Sequence, residues 1–269
     1  AGVNRGSGNY VTSGNGTITV NGTSTSGTGF SGSGFSATGP VTIDGNSNSG
    51  TGFSGNGFSA TGPVTIDGNS ISGTGASLVG TLTTNGTVNI NGNSSSGVGA
   101  ALGYGTYNVS SGNLNITGTS TSGSGATVGV HTTNGILNVT GTGNLSLNGT
   151  STNSHGLLLL GGANTSLNNI GPGNVVLSGT TSATNTAIAG SYFNDWAKYS
   201  FGGNVTVQGA ATANGTGIFG SSWNSDTGTL SGQNNISATG NLVLLGTSSS
   251  GAGVNRGSGN YVTSGNGTI

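Results

Sequence analysis

One pattern recurs along this chain closely enough to dictate its fold: Gly-x-Φ-x-Φ-x-Gly, in which Φ is aliphatic. It appears as Gly16–Gly22 (GTITVNG), Gly39–Gly45 and Gly62–Gly68 (both GPVTIDG), Gly86–Gly92, Gly112–Gly118 (GNLNITG), Gly143–Gly149, Gly173–Gly179, Gly203–Gly209 and Gly240–Gly246 (GNLVLLG). The spacings run from 23 to 37 residues. Alternating apolar and polar residues mark strands with one side inward. The expected inward pairs are Ile18/Val20, Val41/Ile43, Val64/Ile66, Val88/Ile90, Leu114/Ile116, Leu145/Leu147, Val175/Leu177, Val205/Val207 and Leu242/Leu244.

Two further apolar patches recur in each interval. One holds Phe30, Phe53, Ala76/Leu78, Ala100/Leu102, Ala126/Val128, Leu157/Leu159, Ile188 and Ile218; the other holds Phe35, Phe58, Leu82, Tyr107/Val109, Leu167 and Ile236. A near-match at Gly135–Gly141 (GILNVTG) reads as an extra strand within a long interval. Three short strands per coil, separated by Gly/Asn/Ser turns, describe an all-β parallel β-helix of about nine coils with a roughly three-sided section. The expected path is right-handed, because parallel crossovers are. Helices have no support, given abundant Gly, many β-branched residues and no 3.6-residue period.

A larger repeat encloses the smaller one. Residues 252–269 copy residues 1–18 letter for letter, at an offset of 251. The chain therefore reads as one tandem unit, 1–251, followed by the start of the next, 252–269. Identical units joined in series extend in one direction, as a fibre does. Nine coils at about 4.8 Å each advance the chain by roughly 43 Å per unit.

Composition fits this architecture and excludes others. Gly is 59 of 269 residues, charged residues are 3%, and Cys and Met are absent. Hydrophobics at 30% fall below the ~45–50% of globular chains, yet the net charge of −1 and the periodic apolar pattern oppose disorder. Gly is not at every third residue, so collagen is excluded. A narrow core needs few apolar residues, Gly suits positive-φ corners, and stacked Asn, Ser and Thr form ladders from coil to coil. With Arg5, Lys198 and Arg256 the only cations, electrostatic binding to nucleic acid or anionic membranes has little to act through. The run Leu157–Leu160 is too short for membrane insertion.

The runs Gly112–Ala126 (GNLNITGTSTSGSGA) and Gly16–Gly29 (GTITVNGTSTSGTG) resemble the β-strand repeats of filamentous-haemagglutinin-like bacterial exoproteins. The resemblance covers essentially the whole chain. It implies a right-handed β-helix, secretion to the cell surface or beyond, and a role in attachment or matrix. That family's Asn-Pro-Asn-Leu secretion motif is not in this segment, which leaves the export route open. Near-identical 251-residue units are unusual for the family and point to a repetitive fibre.

Few residues carry chemistry. Carbohydrate-active β-helices use clustered acids and bases, whereas this chain has four Asp, no Glu, and two His, His131 and His155; it reads as no enzyme. Asp44 and Asp67 occupy equivalent positions of adjacent coils, where like charges repel. A shared calcium ion would relieve this, and so would solvation at an exposed corner, with neutral Asn21, Asn91 and Thr117 alongside; otherwise no cofactor is expected. The stretch 191–226 holds Tyr192, Phe193, Trp196, Tyr199, Phe201, Phe219 and Trp223 where the coils lengthen. Insertions into a solenoid emerge as loops on one face, so Tyr192, Phe193, Trp196, Tyr199 and Trp223 are the contact or glycan candidates, with self-packing against the coil as the other reading.

Asn-x-Ser/Thr triplets at Asn15, Asn115, Asn148 and Asn204 are glycosylation acceptors in pattern, although a chain of this composition produces many by chance. The Thr23-Ser24-Thr25 run resembles an ice-binding array but is broken at Asn46-Ser47-Asn48. The expected partners are the preceding and following repeat units, end to end, with neighbouring fibres or surface glycans as further contacts.

Overall fold

The structure is a computed structural model, and it describes residues 2–5, 10–11, 15–128, 136–159, 166–169, 171–185, 188–193, 198–220, 235–255, 260–263 and 268. Every element in them is a β-strand or a connecting turn, and every pairing joins parallel strands of successive coils. The fold is a parallel β-solenoid.

Each Gly-x-Φ-x-Φ-x-Gly motif becomes a seven-residue strand of the first face. These strands are Ile18–Ser24, Val41–Ser47, Val64–Ser70, Val88–Ser94, Leu114–Ser120, Leu145–Ser151, Val175–Thr181, Val205–Ala211 and Leu242–Ser248. They form one nine-stranded sheet without a register slip, so Ile43 lies between Val20 and Ile66, and Leu177 between Leu147 and Val207. The apolar pairs expected to point inward do so. From Val41 to Leu242 their exposure is 2% or less, while Val20 and Leu244, at the two edges of the sheet, are half-buried.

The second and third faces differ along the stack. In the first three coils they are one continuous strand, Phe30–Ala37, Phe53–Ala60 and Ala76–Thr84, bent at Gly34, Gly57 and Gly80. These glycines have φ of 72°, 73° and 81°, a region that costs side-chain-bearing residues steric strain. Later coils break this strand into two, such as Ala100–Leu102 with Gly105–Val109. The GILNVTG segment is the ordinary third-face strand of its coil, Ile136–Thr140, paired to Gly105–Val109 on one side and Ser166–Asn169 on the other.

Side-chain volume is shared between neighbouring inward positions of the second face. Phe30 and Phe53 are followed two residues later by Gly32 and Gly55, and a Cβ on Gly55 would lie 2.4 Å from the Phe53 ring. In the next coil the pair is Ala76 and Leu78, and further on it is Ser191 and Phe193, then Ile218 and Gly220. In these coils a large residue at one position answers a small one at the other, which keeps the lumen close-packed, whereas the coil of Leu157 and Leu159 carries two large residues there. The phenylalanines stack along the axis, Phe30 on Phe53 at 5.5 Å and Phe35 on Phe58 at 4.6 Å. In the coil of Val175–Thr181 the second-face core residues are Ser191 and Phe193, whereas Ile188, expected there, is a half-buried turn residue. The third-face partner of Leu167 is Tyr199.

Most recurrent glycines are not there for positive φ, contrary to the sequence expectation. At the corner after the first face two segments of one coil pass backbone to backbone. A Cβ on Gly68 would lie 2.2 Å from the carbonyl oxygen of Gly75, and one on Gly118 would lie 1.9 Å from that of Gly125. The corner is a pinched seam with no room for side chains. Beside it runs a hydroxyl ladder. Ser70 Oγ donates to the Gly50 carbonyl of the preceding coil (2.5 Å) and accepts from Gly73 N–H (2.8 Å). Ser47, Ser94 and Ser120 repeat the arrangement. Buried hydroxyls are tolerated because both capacities are used.

Candidate functional site

The described residues of the aromatic stretch are coil wall. They form the strands Ala189–Phe193, Lys198–Phe201, Val205–Ala211 and Thr216–Gly220, all paired to neighbouring coils. Strand alternation then decides where each ring points. Phe193 (0% exposed) and Tyr199 (2%) face inward and meet edge to face at 5.4 Å, and the Tyr199 hydroxyl donates to the Leu159 carbonyl at 3.4 Å. Both are core residues, so neither offers a surface to a glycan. Trp196 and Trp223 lie outside the described residues, as do Asp195, Asp226 and His131.

Tyr192 faces outward and is half-buried. Its ring is enclosed along the axis: His155, from the preceding coil, lies against it at 4.4 Å, and Phe219, from the following coil, stacks at 5.3 Å and 20°. A sugar stacks on a free ring face, and both faces of Tyr192 are taken. His155 belongs to the same column. Burial lowers its imidazole to a pKa of about 4, and its Nδ1 accepts the Ala189 N–H at 3.1 Å, so the ring is neutral at ordinary pH.

Asp44 and Asp67 are cross-strand partners on the outward side of the first face, as their spacing implies. Their column continues through Asn21 on one side and Asn91 on the other. Asn91 Nδ2 donates to Asp67 Oδ1 at 2.7 Å, and Asn21, with its amide oriented to donate, lies 2.7 Å from Asp44 Oδ2. Partial burial, then the Asp67 charge and a hydrogen bond shared with it, raise the Asp44 pKa. The four residues form an Asn-Asp-Asp-Asn ladder in which each acid meets one amide. Among the described residues no three His, Cys, Asp or Glu converge as a metal site would require.

The other outward columns are also occupied by their own contacts. Asn69 Nδ2 donates to Asn46 Oδ1 (3.0 Å) and Asn93 Nδ2 to Asn69 Oδ1 (2.9 Å); these lie in the column of Thr23 and Thr119, which interrupts any threonine array. At three of the Asn-x-Thr triplets the amide nitrogen donates within the wall: Asn115 to Asn89, Asn148 to Ser146 and Asn204 to Asn174. A shallow polar groove of about 320 Å³ runs along the corner between Thr23, Asn46, Asn69 and Asn93 on one side and Asn48, Ile71 and Ser95 on the other.

The duplicated segment is the feature that sequence reasoning placed in the array without seeing how it binds. Its first copy pairs with the coil that follows: Val3 with Phe30, Asn4 with Ser31, Tyr10 with Phe35 and Val11 with Ser36. There Gly2 and Val3 donate their N–H groups to Thr28 and Gly29 carbonyls at 2.9 and 2.8 Å. Its second copy pairs with the coil that precedes: Val254 with Ile218, Asn255 with Phe219, Tyr261 with Ile236 and Val262 with Ser237. There the Ala252 and Gly253 carbonyls accept from Gly217 and Ile218 at 3.0 and 2.9 Å. One sequence is thus seen making the two complementary halves of a coil's hydrogen bonding.

A second spine crosses the same junction. The residues before the nine first-face strands are Thr17, Pro40, Pro63, Thr87, Asn113, Asn144, Asn174, Asn204 and Asn241, and Thr268 is the next in the series. Asn side chains here accept the next coil's N–H: Asn113 Oδ1 from Asn144 N (3.0 Å), Asn144 Oδ1 from Asn174 N (2.9 Å), Asn204 Oδ1 from Asn241 N (2.9 Å) and Asn241 Oδ1 from Thr268 N (3.0 Å). The early coils carry Pro at this place, which has no N–H to satisfy. Thr268, the counterpart of Thr17, takes its place in this spine and accepts Leu242 N–H at 2.8 Å, as Pro40 accepts Ile18 N–H at 2.9 Å.

Comparison with family models, with curated proteins and with solved structures returns no match.

Proposed function

We propose that this chain is a structural repeat of a secreted extracellular fibre, in which 251-residue units follow one another as one continuous β-solenoid. The observation that carries the reading is the duplicated segment. Its two copies use opposite edges of the same residues, so a single copy placed between two units pairs with both. Corners, strands and the Asn spine then pass through the junction in register, and the open sheet edges that invite disordered association are covered. The function is mechanical: length, stiffness and contact along the wall.

The reading assigns no catalytic residue. Extracellular placement is supported by the single Lys and the lack of Met, which suit a surface exposed to proteases and oxidants, together with the resemblance to filamentous exoproteins. A calcium ion at Asp44 and Asp67 is not required, because amides on both sides already serve the acids. Within the aromatic stretch, the glycan-binding alternative now rests on Trp196 and Trp223 alone.

The test is a two-unit array, residues 1–251 followed without interruption by 1–269, imaged by electron cryo-microscopy beside the single chain. The array is expected as one unbroken rod, longer by roughly 43 Å and laddered at about 4.8 Å. Two short rods joined by a flexible kink would refute the continuous solenoid.

A further inference from the structure

The polar groove at the corner after the first face, about 320 Å³ in volume, carries hydrogen-bonding groups that the solenoid does not use. One rim is the column of Asn46, Asn69 and Asn93, and the other is Asn48, Ile71 and Ser95. A side-chain amide has two N–H donors and two acceptor sites. The ladder uses one donor each of Asn69 and Asn93 and one acceptor site each of Asn46 and Asn69. Asn69 therefore keeps one donor and one acceptor site side by side. Across the groove, the side chains of Asn48 and Ser95 make no hydrogen bond among the described residues.

Ile71 is the anomaly. Residues 29–51 and 52–74 are the same sequence except at Ser33/Asn56 and Asn48/Ile71. The first difference belongs to packing, since Asn56 Oδ1 fills the space where a Cβ on Gly80 would lie, 1.9 Å away. The second has no such reason. Asn48 and Ile71 donate their N–H groups alike to Ser24 and Ser47 carbonyls at 3.2 Å, so the coil accepts either residue. What Ile71 adds is an aliphatic side chain, 57% exposed, in the middle of a polar groove.

From this we infer that the groove binds a neutral, extended glycan lying along the solenoid axis. Each sugar hydroxyl donates and accepts, as the adjacent amide groups require, and the C–H face of a pyranose ring covers Ile71 and removes it from water. Charge excludes an anionic polymer. No Lys or Arg lines the groove, and Asp44 and Asp67 stand two residues before Asn46 and Asn69 on the same outward side. A peptide strand finds no edge to pair with, because the main chain here is already engaged from coil to coil. From Thr23 to Thr119 the groove crosses five strands, about 19 Å at ~4.8 Å per step, which takes a short run of sugars. The site uses no aromatic ring, and it does not depend on the fibre reading.

The test is calorimetric titration of the full chain with cellohexaose, mannohexaose and xylohexaose, which are uncharged and linear, and with the anionic hexagalacturonate. Binding of at least one uncharged chain, and none of hexagalacturonate, is expected. Ile71→Asn gives this coil the residue its twin already carries, so folding is preserved, and the affinity is expected to fall about tenfold. Asn69→Ala removes the central amide and is expected to weaken binding to a similar degree, about tenfold. Thr180→Ala, in the same outward column two coils beyond Thr119, is expected to change nothing. Failure of all three uncharged chains to bind overturns the inference, as does unchanged affinity in both groove variants. Preference for hexagalacturonate overturns the neutral class. Loss of binding in W196A with W223A, while Ile71→Asn binds normally, moves the glycan to the aromatic stretch and also overturns it. A broken two-unit rod removes the fibre reading and leaves the groove standing, whereas absent glycan binding removes the groove and leaves the fibre reading intact.

Discussion

The coils that carry Phe30 and Phe53 and the coil that carries Ser191 and Phe193 enclose the same space with opposite distributions of volume. In the early coils the ring comes first and a glycine follows two residues later. In the later coil the small residue comes first and the ring second, and the rotation of mass across the lumen is taken up by Tyr199 on the third face. What stays constant between the two regions is the glycine seam, Gly45 against Gly52 in one and Gly179 against Gly190 in the other. The backbone path is therefore held by the pinched corner, while the contents of the lumen vary from coil to coil.

Breaking the constant part should cost most. Gly68→Val puts a Cβ 2.2 Å from the Gly75 carbonyl oxygen, with no flexible neighbour to yield. A loss of more than about 4 kcal/mol is expected in denaturant melts, and a variant as stable as the parent would remove the seam from its role. The variable part should be damaged and then repaired. Phe53→Ala is expected to cost about 3–5 kcal/mol. Adding Gly55→Leu reproduces the Ala76/Leu78 solution of the next coil and should recover a large share, although Gly55→Leu alone overpacks the site. Additive losses in this cycle would show that volume is not shared between the two positions.

A smaller effect is expected at the hydroxyl ladder. Ser70→Ala leaves Gly73 N–H and the Gly50 carbonyl without their buried partner, and about 1–3 kcal/mol should be lost; an unchanged melting curve would reassign the ladder to surface solvation. Smallest is the charged step of the first face. Because the folded-state pKa of Asp44 is raised, the folded chain holds that proton more tightly than the unfolded chain does. Its contribution improves as pH falls through the raised pKa and is lost as pH rises above it. The melting temperature should rise slightly on acidification through the carboxylate range, and Asp44→Asn with Asp67→Asn should flatten that dependence while raising stability at neutral pH. Unaltered pH dependence in the double variant would place the titration elsewhere.

Much of the wall was legible in the chain. The Gly-x-Φ-x-Φ-x-Gly period located all nine first-face strands and their inward residues, because strand alternation and coil-to-coil register are local properties repeated without interruption. The aromatic stretch was not legible to the same depth. Its coils lengthen to 30 and 37 residues, so the fixed offset that marked Phe30 and Phe53 as core no longer reaches Phe193 and Tyr199. Sequence leaves them open between a contact surface and self-packing, and they complete the second and third faces. The same broken offset points to Ile188 as core, where it is half-buried. Tyr192 faces outward, and nothing in its neighbourhood in sequence announces that His155 and Phe219, 37 residues before it and 27 after it, close off both faces of its ring.

The sequence by itself determined the period, the parallel stacking and the identity of the inward aliphatic columns, since each follows from alternation along a single strand and repetition from strand to strand. Only the tertiary structure decided why so many glycines are required and which aromatic residues lie within. Those outcomes depend on how closely segments distant in sequence approach one another, and the distance between two backbones across a coil leaves no periodic trace in either of them.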